Sequence, residues 1–167
     1  MMTEMKIARL PEGRSMREPM TALVTVGGVG LLPLAPGSWG SLVAMPFGWL
    51  LMQAGGWMLL FAAAVAVAVA GWIASDRYVK ATGRDDPPEI VIDEVTAQWL
   101  ALTVVPLTLP AYIVAYFVFR LFDTVKPWPA SWADGELEGG AGVMLDDLFA
   151  GGYALITLAA LVAMGII

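Results

Sequence analysis

The 167-residue chain contains no cysteine and no histidine. The first absence excludes disulfides, thiolate metal sites and a cysteine nucleophile. The second excludes a histidine general base, a phosphohistidine intermediate and His-ligated metals. Charge is scarce as well, at 14% of residues, while hydrophobic residues reach 59%. A chain this apolar is not disordered, since it has too much apolar surface to leave in water. The net charge of −6 disfavours nucleic acid, whose binding rests on basic side chains neutralising phosphates. Catalysis here must run on carboxylates, Lys/Arg, hydroxyls and metals that take oxygen ligands.

The few charges are clustered. Residues 1–20 carry four basic and three acidic groups, 76–94 carry three and six, and 120–147 carry two and six. Residues 21–75, 95–119 and 148–167 carry none. An ionised side chain costs about 2.5–3.5 kcal/mol at a bilayer centre, so insertion selects for this partitioning. Residues 57–75 and 148–167 are each long enough to approach a hydrocarbon slab of roughly 30 Å. A buried helix in a soluble core is the plainer reading of such runs, but the composition favours the membrane. The first twenty residues lack the apolar stretch of a signal peptide and read as a cytoplasmic N-terminal arm, with 21–167 as a single helical domain.

The middle segments set the topology. Residues 41–54 are apolar but short and end at Gly55-Gly56, while Pro106 and Pro110 interrupt 95–119. Two short hairpins, 41–75 and 95–119, put every Lys and Arg on one side, as the positive-inside rule prefers. A single crossing by 95–119 splits them. The expectation is therefore an all-α integral-membrane bundle of two short hairpins and a C-terminal helix, with its polar site at the cytoplasmic face. Gly27–Ser41, rich in Gly and Pro, reads as an irregular apolar loop.

Three polar constellations flank the apolar runs. Asp93-Glu94 closes an acidic, proline-containing turn and enters the second run. Arg120, Asp123 and Lys126 recur every three residues along a helix face. Asp146-Asp147 follows a glycine-rich stretch at the head of the last run. Each has a structural explanation: acids cap helix N-termini, and basic residues pair with neighbours or snorkel. Doubled carboxylates repel, however, unless a cation sits between them. Acidic clusters on one face therefore point to Mg²⁺, a hard ion that prefers carboxylates and water. Arg120 and Lys126 read as a phosphate clamp beside it.

The order Pro36-Gly37-Ser38-Trp39-Gly40-Ser41, Ile90-Val91-Ile92-Asp93-Glu94, Phe119-Arg120-Leu121-Phe122-Asp123-Thr124-Val125-Lys126-Pro127-Trp128-Pro129 and Gly139–Gly151 resembles the phosphatidylglycerophosphatase A family. The resemblance runs from about Gly27 to Gly152. It departs at Ser38, where the family usually has Thr, and at Ala97, where Gly is usual. It implies an all-helical, Mg²⁺-dependent enzyme of the bacterial inner membrane, for which the one-sided basic residues predict multi-pass insertion with the site facing the cytoplasm. The implied reaction converts phosphatidylglycerophosphate to phosphatidylglycerol in phospholipid synthesis. Asp93, Glu94 and Asp123 are then the expected catalytic residues, and Arg120, Lys126, Ser38 and Ser41 the expected substrate contacts. Asp93, Glu94, Asp123, Asp146 and Asp147 are the expected metal ligands.

The residues agree with that implication. A phosphomonoester needs cations to offset its charge, and Arg120, Lys126 and Mg²⁺ supply them. Attack by water activated at a metal needs neither His nor Cys, and an aspartyl-phosphate at Asp123 or Asp93 is the rival chemistry. Phosphatases that require His, Cys or an Asp-x-Asp pair are excluded. A small membrane transport or cation-binding protein is the alternative, but it would place ionisable groups within its apolar segments.

Overall fold

Backbone breakers decide the path of the chain. Among residues 10–167, which the computed structural model describes, the regular elements are helices and none is a strand. Helix α1 (Pro19–Val24) starts on a proline and leads to a 3-10 turn at Val29–Leu31. Helix α2 (Pro36–Thr82) is two limbs in sequence, because Gly55 (φ −151°, ψ 15°) and Gly56 (φ 66°, ψ −165°) leave helical space. Only glycine takes the Gly56 conformation without strain. Four helices follow: α3 (Ile92–Leu102), α4 (Leu109–Val125), α5 (Ala130–Glu136) and α6 (Gly139–Ala163).

The limbs of α2 double back. A straight helix would hold Gly40 and Gly71 about 46 Å apart at 1.5 Å per residue. Instead both lie on the start of α3. A Cβ on Gly40 would sit 2.9 Å from Val91 Cβ, and one on Gly71 would sit 3.2 Å from Ile92 Cγ2. The α3–α4 stretch also reverses, for Tyr116 midway along α4 donates to the Ser38 carbonyl at the start of α2 (3.3 Å). Leu60, Leu102, Tyr112, Phe119 and Leu158 fill the core between α2, α3, α4 and α6. A second cluster around Tyr78, Ile90, Ile92 and Met144 lies under α1.

By length and composition Pro36–Thr82 and Gly139–Ala163 can each cross a membrane. Their outer faces carry Trp57, Met58, Val65, Val69 and Ile156, all exposed. An apolar belt of this kind is not left in water by a monomer, which suggests membrane association.

The boundaries correct several expectations. Pro36–Ser41 is the first turn of α2, not loop, because proline is well suited to a helix start. Only Pro106 lies in the break after α3. Pro110 sits in the first turn of α4, where its missing N–H breaks no helical bond. At 11 residues α3 is about 16 Å long, too short to span hydrocarbon. The last helix starts at Gly139 and not at residue 148. The arm expected at 1–20 lies partly outside the described residues; within them 10–18 form turns and α1 begins at Pro19.

Candidate active site

The polar residues gather at the end of the bundle where α3 and the second limb of α2 meet. Asp93 and Glu94 occupy the first turn of α3, where the helix dipole favours acids, and Asp93 Oδ1 accepts the Glu94 backbone N–H (3.0 Å). Asp146 and Asp147 lie two turns inside α6 and are both buried. Small residues bring that helix close. A Cβ on Gly151 would sit 3.1 Å from Ala97 Cβ, so α3 and α6 run nearly in backbone contact. One on Gly140 would meet Asp76 Cβ at 2.7 Å, which seats the start of α6 on α2.

As a result, carboxylate oxygens from Asp93, Glu94 and Asp147 lie within 4.8 Å of one another. They face a cavity of about 190 Å³ also lined by Gly37, Asp86, Asp123, Lys126 and Asp146. At Gly37 a side chain would overlap the Glu94 carboxylate and push it out of the cluster.

The cations come from the end of α4. Arg120 pairs with Asp123 (2.6 Å), and its Nη1 reaches Ser41 Oγ (3.4 Å). Lys126 takes a left-handed backbone (φ 45°) as the cap of α4. Its ammonium bridges Asp134 (2.5 Å) and Asp146 (2.7 Å). Burial alone would lower the Lys126 pKa, but these two carboxylates outweigh it and hold the group above its usual range. Lys126 therefore stays charged at any working pH.

The cluster fits a divalent metal. Glu94 Oε2, Asp147 Oδ2 and Asp146 Oδ1 are buried without a hydrogen-bond partner. Buried carboxylate oxygens left unpaired are costly, and three carboxylates this close repel unless a cation joins them. An all-oxygen donor set suits a hard ion.

The fold thus brings together Asp93, Glu94, Asp123, Lys126, Asp146 and Asp147, with Arg120 and Ser41 beside them. It treats the two serines differently. Ser41 is buried, donates to the Gly37 carbonyl (3.0 Å) and accepts from Arg120. Ser38 contributes only its backbone carbonyl, to Tyr116. Two acids were not anticipated as site residues. Asp86 lines the cavity from a left-handed conformation (φ 45°) that Asp tolerates, and Asp134 holds Lys126. Neither carries a spacing signal: Asp86 sits in an irregular segment, and Asp134 in the seven-residue helix α5, which follows a turn. Glu89, fully buried, accepts from Tyr78 (3.0 Å) and Arg84 (2.7 Å) and ties that acidic turn to α2.

Residues 22–162 match the family described as Phosphatidylglycerophosphatase A. The chain is 37% identical over 137 residues to phosphatidylglycerophosphatase A of Escherichia coli (strain K12), covering 81% of this chain and 79% of that protein. It is 32% identical over 148 residues to the protein of the same name in Haemophilus influenzae, covering 88% and 91%. A putative phosphatidylinositol-3-phosphatase of Bacteroides thetaiotaomicron is 34% identical over 160 residues, covering 86% and 96%. No solved structure matches the chain.

Proposed function

The chain belongs to the phosphatidylglycerophosphatase A family and is a phosphatase, and from that premise we propose that it hydrolyses phosphatidylglycerophosphate to phosphatidylglycerol and phosphate, using Mg²⁺. The observation that supports the site is the convergence of Asp93, Glu94 and Asp147 beside Arg120 at one end of the bundle. Asp93, Glu94 and Asp147 would hold the ion, with Asp123 and Asp146 beside them to complete its shell. When bound, it supplies positive charge to the phosphoryl oxygens and makes water more acidic.

The chain's own residues divide the remaining work. Arg120 binds the phosphate, its guanidinium held in register by Asp123 and the Ser41 hydroxyl. Lys126 offsets the charge of Asp146 and secures the α4–α5 turn over the cavity. Water attacks phosphorus, and its proton passes to a carboxylate of the Asp93–Glu94 pair. The P–O bond to glycerol breaks, and the same carboxylate gives that proton to the leaving oxygen. Attack by Asp123 itself, giving an aspartyl-phosphate, is the rival route, and it predicts a covalently phosphorylated protein when turnover is quenched.

In the membrane, the bundle sits with the site end toward the cytoplasm and the N-terminal arm on the same side. The described Lys and Arg residues lie toward that end, as the positive-inside rule prefers. Cysteines introduced at 84 and 134 should both label from the cytoplasmic side; labelling from opposite sides would overturn the hairpin arrangement, and labelling of both from the far side would overturn the orientation. Ion transport is not favoured, since residues 21–75 and 95–119 carry no ionisable acid or base of the Asp/Glu/Lys/Arg class.

The deciding experiment is phosphate release by purified protein from vesicles containing phosphatidylglycerophosphate, with phosphatidylinositol 3-phosphate as comparator. Release with Mg²⁺, loss with EDTA and recovery on re-addition are expected. Turnover of only the inositol lipid would replace the proposed substrate, and release unaffected by EDTA would remove the metal.

A further inference from the structure

Beside the polar end, α2 and α4 diverge and leave a groove of about 660 Å³. One wall is the stripe Leu42, Met45, Trp49 and Leu50 on the first limb of α2, which recurs at the spacing of a single helix face. The other wall is α4, with Tyr112 and Ile113. Leu42, Leu50 and Ile113 are exposed, so the groove opens sideways along the apolar flank of the bundle. Trp49 and Tyr112 meet edge to face, with ring centroids 4.9 Å apart, and fix its floor.

We propose that this groove holds an acyl chain of the lipid whose phosphate lies at Arg120. The proposal rests on the phosphatase reading above. Its first support is continuity. The same α2 face carries Ser41 next to Leu42, and Ser41 is bonded to Arg120. Along α4 the face passes from Ile113 to Tyr116 to Arg120, from apolar to polar in step with α2. The seam between the two helices is thus itself amphiphilic, with a cation at one end and hydrocarbon-like side chains at the other.

Length is the second support. From Ser41 to Leu50 the seam runs about 14 Å at 1.5 Å per residue. That is close to one leaflet of hydrocarbon, roughly 15 Å. The third support is the lining, which carries no charged side chain and so suits hydrocarbon. Lipid tails are as apolar as leucine, so the groove adds little raw affinity over the surrounding bilayer. Its work is alignment: a chain seated there brings the attached phosphate to the cavity mouth.

The test uses full-length protein in phospholipid vesicles containing a diacyl phosphatidylglycerophosphate with a photoreactive diazirine near one chain end. Crosslinks are expected within 42–50 and 109–113. Leu42→Trp and Ile113→Trp, which fill the groove from either wall, should each lower that crosslinking at least fivefold. The same changes should reduce the preference for diacyl over deacylated phosphate ester about tenfold. Val69→Trp, on the outer face of α2, is the control and should change neither. Crosslinks spread over 57–73 as densely as over the groove would overturn the proposal. So would disulfide-linked dimers of an Ile113→Cys variant formed in the same vesicles, because a second copy would then be the occupant. Crosslinking in the groove without any phosphate release would leave the groove standing and sink the phosphatase reading; release with crosslinks elsewhere would do the reverse.

Discussion

Two helices of this protein begin in a similar way and put their acids to different structural use. In α3 the pair Asp93-Glu94 lies in the first turn, beside unsatisfied backbone N–H groups that favour negative charge. In α6 the pair Asp146-Asp147 lies two turns inside the helix, beyond the reach of that end. Helix stability accounts for some of the first pair and none of the second. Burying Asp147 beside Asp93 and Glu94 is a cost, which makes α6 the better witness to a ligand. The cations divide in the same way: Arg120 serves the α3 side, and Lys126 is bound to Asp146.

The sharpest way to break this comparison is to remove one charge from each pair. Asp147→Asn and Asp93→Asn should both lower kcat/KM for phosphate release by on the order of 10³-fold. Thermal unfolding in detergent should separate them. Asp147→Asn should unfold at the same temperature or higher, because a like charge is gone. Asp93→Asn gains the same relief from repulsion but loses a dipole contact of about 0.3–1 kcal/mol, so it should unfold at the lower temperature of the two. Equal unfolding temperatures would mean that the α3 pair is held only for the ligand too.

Arg120→Lys comes next, at about 10²-fold in kcat/KM with little change in unfolding, because charge remains while the planar fork is lost. Near-wild-type turnover would leave Arg120 as an ion-pair partner of Asp123 and nothing more. Lys126→Met should act more through the fold. It strands Asp134 and Asp146, with a stability loss of about 1–2 kcal/mol, between exposed and buried ion pairs. Its activity should fall roughly tenfold, measured alongside the shift in Tm. Ser38→Ala should have the smallest effect, within about twofold, because only the Ser38 backbone is engaged. A large loss there would return its hydroxyl to the substrate.

The charge pattern made the site's composition legible before any coordinates. Uncharged runs alternating with acidic clusters mark which residues can share one end of a bundle. Gly55-Gly56 and Pro106 were readable as breaks, since both act through the local backbone. The start of α6 was not. Glycines 139, 140 and 142 resemble a flexible loop, and only packing on α2 and Leu137 makes them helix. Asp86 and Asp134 escaped for the same reason, as nothing local tells where a turn, or the short helix that follows one, will deliver its side chain. Ser38 and Ser41 differ only in which helix face they occupy, and that depends on α2 starting at Pro36.

The far end of the bundle, opposite the acids, is formed by the Gly55-Gly56 reversal, the 103–108 break and the last residues of the chain. None of these carries a charged side chain. That bears on biogenesis. A bundle that enters hydrocarbon by this tip carries no ionised side chain across the bilayer, and its charged segments stay on the side where synthesis left them. Insertion then needs no export of a charged loop, and the helices can enter and associate as one unit.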